Sequence, residues 1–145
     1  NAIGHLDERG FERAIGNVSS NLRDNGLFVF DIFNIDFMKS GGFVRDRFID
    51  VAVEKDNLRF VRFNKNKLDI KKGILKINQE LYIQEGIKRP GIYREIWDMK
   101  VYSSDELKKI LNRNGFKVLK ICGLNGKKFI KNKTLNMVII SKKIR

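Results

Sequence analysis

The sequence predicts an α/β fold, a doubly wound core interrupted by an inserted antiparallel β-sheet. Three observations carry this. A helix with one apolar stripe runs through Gly26 into an almost uninterrupted apolar strand, Leu27 to Ile32. Four strand-like segments follow, separated only by turn signals. A helix-then-strand rhythm resumes after Ser103. Strands alternating with helices favour a sheet under helical cover, whereas consecutive strands on short turns favour hairpins. Residues 1–40 are therefore read as one αβ unit of the core, 41–102 as the antiparallel insert, and 103–145 as a closing helix with the last two core strands.

Each element has a local cause. Asp7 is an N-cap and Glu8 stands in the first turn. Phe11, Ala14, Ile15, Val18 and Leu22 recur at helical spacing, and Asp24-Asn25-Gly26 ends the helix with residues that tolerate a left-handed backbone. The Leu27–Ile32 run suits a strand buried on both faces. Asn34 to Ser40 is a short helix or loop, broken by Gly41-Gly42. Strands are expected at Phe43–Val53, Leu58–Phe63, Ile74–Gln84 and Ile92–Tyr102. The turns between them are Lys55-Asp56-Asn57, Asn64-Lys65-Asn66, Lys72-Gly73 and Glu85-Gly86 through Pro90-Gly91. Ser103 and Glu106 have the spacing of a capping box, and Leu107, Ile110 and Leu111 mark one face of the helix that follows. Asn114-Gly115 closes that helix. Phe116–Cys122 and Leu135–Ile140 are strands joined by a Gly- and Lys-rich loop, expected to pair antiparallel at the sheet edge.

Composition narrows the function. With 145 residues, 42% hydrophobic content and 11 Phe, the chain carries a real core. No apolar run reaches the roughly 18–20 residues of a membrane span, so no membrane partner is expected. The single cysteine, Cys122, excludes an internal disulfide, and one Cys with one His excludes a structural zinc site. A reducing, cytoplasmic setting is the expectation. Thirty Lys+Arg against 17 Asp+Glu give a net charge of +13. Such a field favours anionic partners, nucleic acid among them, or reflects a solvated lysine-rich surface. The opening Asn1-Ala2-Ile3-Gly4-His5-Leu6, without an initiator Met, reads as the interior of a longer protein.

Several residues are placed for chemistry. Asp31 and Asn34 lie at the carboxyl end of the buried strand, where open α/β sheets bind ligands. The alternative for Asp31 is a carboxylate facing a helix N-terminus. In the last insert strand Tyr93, Glu95, Trp97, Met99 and Val101 share one face, and Arg94, Ile96 and Asp98 the other. Tyr93 and Trp97 are candidates to cover a bound substrate and exclude water, or else core between insert and main sheet. Arg94 is a candidate for an anionic substrate group, or else a surface ion pair with Glu95 or Asp98.

Asn1-Ala2-Ile3-Gly4-His5-Leu6, Leu22-Arg23-Asp24-Asn25-Gly26, Tyr102-Ser103-Ser104-Asp105-Glu106-Leu107 and Gly115-Phe116 occur in that order along the chain. In order and spacing they resemble the C-terminal half of a class I S-adenosylmethionine-dependent methyltransferase, of the small-molecule branch that includes sugar N-methyltransferases. The resemblance implies a Rossmann-like core, S-adenosyl-L-methionine as cofactor and a small-molecule methyl acceptor. It places the His5 loop at the junction of cofactor and acceptor. His5 is then the catalytic candidate, as proton acceptor or acceptor-orienting group; packing at the helix start is the alternative. Asn1 is the cofactor-side candidate in the same loop. The family's glycine-rich loop and its acidic ribose and adenine residues have no counterpart here, nor do its first four strands. The chain alone is therefore expected not to catalyse, and to self-associate or pair with a missing N-terminal half. A nucleic-acid methyltransferase, or a basic nucleic-acid-binding module that retains half the fold, is the alternative.

Overall fold

The computed structural model describes residues 2–144; Asn1 lies outside the described residues. Helix α1 (Glu8–Asn21) begins where the Asp7 carboxylate accepts a hydrogen bond from the Gly10 backbone N–H at 2.7 Å. Its Phe11 and Ile15 are fully buried. The turn after it places Asn25 at φ 62°. Gly26 follows because a Cβ there would stand 2.6 Å from the Leu22 side chain and 2.8 Å from the Arg23 carbonyl oxygen. The chain then enters β1 (Leu27–Phe33) and the short helix α2 (Ile35–Lys39).

The core sheet is closed from the other end of the sequence. Helix α3 (Ser104–Arg113) starts with a complete capping box, Ser103 and Glu106 each bonding the other's backbone. It leads into β6 (Phe116–Cys122) and, through a loop, β7 (Asn136–Lys143). The strand order is β1-β7-β6, with β7 antiparallel to both neighbours. The last two strands do pair antiparallel, as expected, but β7 is central rather than marginal. Ile32, Phe116, Met137 and Ile139 pack with Phe11, Ile15, Leu107 and Leu111, so both long helices cover one face of this sheet.

The other face of β1 differs from expectation. Leu27 and Val29 are 57% and 55% exposed. The apolar run is covered only on the side of Phe28, Phe30 and Ile32, because α1 and α3 both pack there. Among the described residues, β1 is also an edge strand.

The insert is a four-stranded antiparallel meander, β2 (Phe48–Lys55), β3 (Leu58–Asp69), β4 (Ile74–Glu85) and β5 (Gly91–Lys100). Three of the predicted turns lie between its strands. Asn64-Lys65-Asn66 does not turn: it continues inside β3, in register with Gln79, Asn78 and Ile77. Asn64 and Asn66 are buried, and their amides are engaged instead of breaking the strand. Gln79 Nε2 donates to Asn64 Oδ1 at 3.1 Å, and Asn66 Nδ2 donates to the Phe43 carbonyl at 3.0 Å. Strand β2 starts at Phe48 rather than Phe43, which adopts φ 64° and packs between Phe33 and Phe48. Leu75, Ile77 and Met99 on the inner face form a second core with Ile35, Met38 and Val101. The two ends of the insert meet: Asn34 and Tyr102 form a parallel bridge, and the Ile35 N–H donates to the Tyr102 carbonyl at 3.1 Å. No helix among the described residues is long and apolar enough to cross a membrane.

Candidate active site

The 3-10 turn Ala2–His5 packs against both β1 and β5, and so joins core sheet to insert. Gly4 is buried while His5 is exposed. The His5 imidazole meets the Trp97 indole edge-on, with ring centroids 5.6 Å apart and planes at 62°. Trp97 is half-buried against the second core, and its indole Nε1 is buried without a hydrogen-bond partner. It stands across from Ile77, which stands across from Asn66, whose Oδ1 is likewise buried and unpartnered. Tyr93 lies on the same sheet face, 56% exposed. The inner face of the insert thus places Trp97, with its spare donor, beside the one imidazole of the chain, and a spare acceptor two strands away on Asn66. Buried polar atoms without partners carry a desolvation cost that a bound polar molecule or water removes.

The other predicted residues separate. Asp31 is opposite Val138 in the core sheet, partly exposed, in the same alternating row as Leu27 and Val29. Asn34 is fully buried and its amide is wholly engaged. Nδ2 donates to the Lys131 and Thr134 carbonyls at 2.7 and 2.9 Å, and Oδ1 accepts from the Asp36 N–H at 3.0 Å. It caps α2 and holds the loop before β7. Arg94 points to the opposite face of the insert from Trp97, where Nε donates to Glu80 Oε2 at 2.8 Å. His5 and Trp97 are in contact, with Tyr93 on the same wall; Arg94 is not part of it.

Asn66 and Gln79 escaped the sequence reading. The available signal was the even spacing Arg62, Asn64, Asn66, Leu68, which continues one strand face past the polar residues.

On the outer face, Glu80 collects donors. The Tyr82 hydroxyl lies at 2.7 Å, Arg94 at 2.8 Å and Arg47 at 3.1 Å. The Tyr82 hydrogen bond first, then Arg94, hold the Glu80 carboxyl below its ordinary 4.5. Its contribution to stability is present above the unfolded-state value and is lost as pH falls below it. Acid titration of stability is expected to weaken the protein below pH 4.5. Glu80→Gln should flatten that dependence, and an unchanged acid limb measured by urea unfolding would refute the assignment.

No group of three or more His, Cys, Asp or Glu among the described residues is arranged to hold a metal. Strand β1 passes directly into Asn34 and α2, with no glycine between. The described residues therefore do not form a glycine-rich strand-to-helix loop for a nucleoside cofactor.

No protein-family model matches the sequence, and no curated protein matches it. Solved structures do match the fold. An S-adenosylmethionine-dependent methyltransferase from Clostridium acetobutylicum superposes with a TM-score of 0.75 at 15% identity, over 98% of this chain and 55% of that one. The amino pentose methyltransferase CalS10 from Micromonospora echinaspora gives 0.70 at 11% identity, over 98% of this chain and 54% of that one. The sugar N-methyltransferase KedS8 from Streptoalloteichus gives 0.67 at 14%, over 97% of this chain and 52% of that one. The fold is that of part of an S-adenosylmethionine-dependent methyltransferase. The chain spans about half the length of the solved enzymes it matches.

Proposed function

We propose that this chain is the acceptor-side portion of an S-adenosylmethionine-dependent methyltransferase acting on a small-molecule acceptor. The contact of His5 with Trp97, where the core sheet meets the insert, carries the reading. When bound, the cofactor supplies an electrophilic methyl group. The chain's own residues act on the acceptor. The His5 imidazole accepts a proton from an acceptor amine or hydroxyl, or orients that group. Trp97 and Tyr93 wall the acceptor and exclude water. The Trp97 indole N–H and Asn66 Oδ1 offer it one donor and one acceptor.

The grip on the cofactor belongs to another segment in this reading. The uncovered row of Leu27 and Val29 on β1 supports its docking there. Calorimetry tests this. The 145-residue chain is expected to bind S-adenosylmethionine at best weakly, and the longer protein to transfer labelled methyl to small amines or hydroxyls. Micromolar binding by the chain alone would overturn the division of labour. The +13 charge favours a second reading, methylation of RNA. Labelled methyl appearing in RNA instead of small acceptors would establish it.

A further inference from the structure

A cleft of about 360 Å³ lies apart from His5 and Trp97. It lies among α2, α3, the β3–β4 turn and the start of α1, and is lined by Lys39, Lys71, Lys72, Lys100, Lys109 and Arg113 against only Glu8 and Glu106. Some of these charges are committed. Arg113 pairs with Glu12, Lys100 with Glu8 at 3.6 Å, and Lys72 lies 4.0 Å from Asp69. The Glu106 carboxylate is taken by the Ser103 N–H at 2.7 Å and hydroxyl at 2.8 Å. Lys39, Lys71 and Lys109 come from three different elements and form no salt bridge among the described residues, though Lys109 feels the charge of Asp105 outside the cleft. The cleft therefore keeps an excess of positive charge that its own carboxylates do not neutralise.

A second feature points the same way. Tyr102 lines the cleft, is only 3% exposed, and its buried hydroxyl has no hydrogen-bond partner. The Lys100 ammonium sits 5.6 Å from the centre of its ring without bonding the oxygen. Burial first, and then the negative field of Glu8, Glu106, Glu12 and Asp7, push the phenol's pKa well up, so the hydroxyl stays a donor and an anion reaching it must be held by the lysines against those carboxylates. A buried donor without an acceptor is a costly group to retain.

We propose that this cleft binds a phosphate-bearing anion, with Lys39, Lys71 and Lys109 meeting its charge and the Tyr102 hydroxyl donating to one of its oxygens. Lysine ammoniums bind phosphate oxygens as point charges, and the multiple charge of a phosphate group answers three of them together. Both a small diphosphate and a nucleic-acid backbone present this chemistry. The inference requires no methyl transfer and stands apart from the reading of His5.

The test uses the whole chain, inorganic pyrophosphate and a single-stranded RNA oligonucleotide as probes, and calorimetry at low salt. Replacing Lys39, Lys71 and Lys109 together with alanine is expected to weaken binding by about tenfold or more. Replacing the exposed Lys117, Lys120 and Lys128 removes the same charge elsewhere and is expected to change it by less than about twofold. Tyr102→Phe is expected to weaken binding by about tenfold while leaving the unliganded protein as stable or more so. Protection of Lys39, Lys71 and Lys109 from amine acetylation by the bound probe, read by mass spectrometry, tests the unsubstituted chain. Tighter binding of pyrophosphate identifies a small diphosphate, and tighter, length-dependent binding of RNA a polynucleotide. Equal losses in the two triple variants, no protection, or binding of neither probe would overturn the site.

Discussion

Replacing His5 with alanine is expected to lower kcat for methyl transfer by about 10²- to 10⁴-fold in the complete enzyme, the usual contribution of a positioned proton acceptor. The fold should survive, because His5 is exposed and its one aromatic contact among the described residues is with Trp97. The measurement is transfer of labelled methyl under saturating cofactor, with circular dichroism as the control for folding. His5→Gln separates the two roles open to the imidazole. Glutamine retains a hydrogen-bonding group but takes no proton. Rate recovery with glutamine would mean that His5 orients the acceptor; continued loss, with altered pH dependence, would mean that it takes the proton. Unchanged rates in both variants would remove His5 from the site.

Asn34→Ala is expected to destabilise the chain by about 2–4 kcal/mol, the sum of a lost helix cap and two lost part-buried hydrogen bonds to carbonyls. The residue is fully buried, and its amide ties the start of α2 to the backbone of Lys131 and Thr134. Asn34→Asp retains the cap but faces both carbonyls with an acceptor, and should be no better than alanine. Urea unfolding with an unchanged m-value gives the answer. If stability held while acceptor affinity fell, Asn34 would be a substrate contact after all. The sequence position suits either role, since the end of a core strand is where ligands bind and also where a helix must be capped.

That ambiguity marks what a sequence carries and what it leaves to folding. The helices were legible because their signals are local: Asp7 and Ser103 cap them, and Phe11 and Leu107 repeat at helical spacing. The hairpins of the insert were legible where turn residues fall on turns. Asn64-Lys65-Asn66 misled because a buried amide can be satisfied across strands, here by Gln79, and nothing nearby in sequence announces the partner. The central place of β7 was hidden for a similar reason. Ser141 donates to the Phe28 carbonyl across 113 residues, a separation at which local pattern is silent. The exposed side of β1 follows from where α1 and α3 dock, which an apolar run does not specify. Of the candidate site, the contact between His5 and Trp97 rests on the meeting of two distant segments; alternation alone identified only the face that Trp97 shares with Tyr93.

The bridge between Asn34 and Tyr102 has a consequence for variation. It brings the entrance and exit of the insert side by side, so the core sheet experiences everything between them as a closed loop. Closure cost grows only with the logarithm of loop length. The meander is thus free to lengthen, shorten or be exchanged at little expense to the core, provided that its first and last residues still meet. A change of insert would alter the face that carries Trp97 and Tyr93, and with it the side of the His5 turn that rests on β5, while β1, β7 and β6 keep their pairing. On the proposed function, such an arrangement would make acceptor preference a replaceable part.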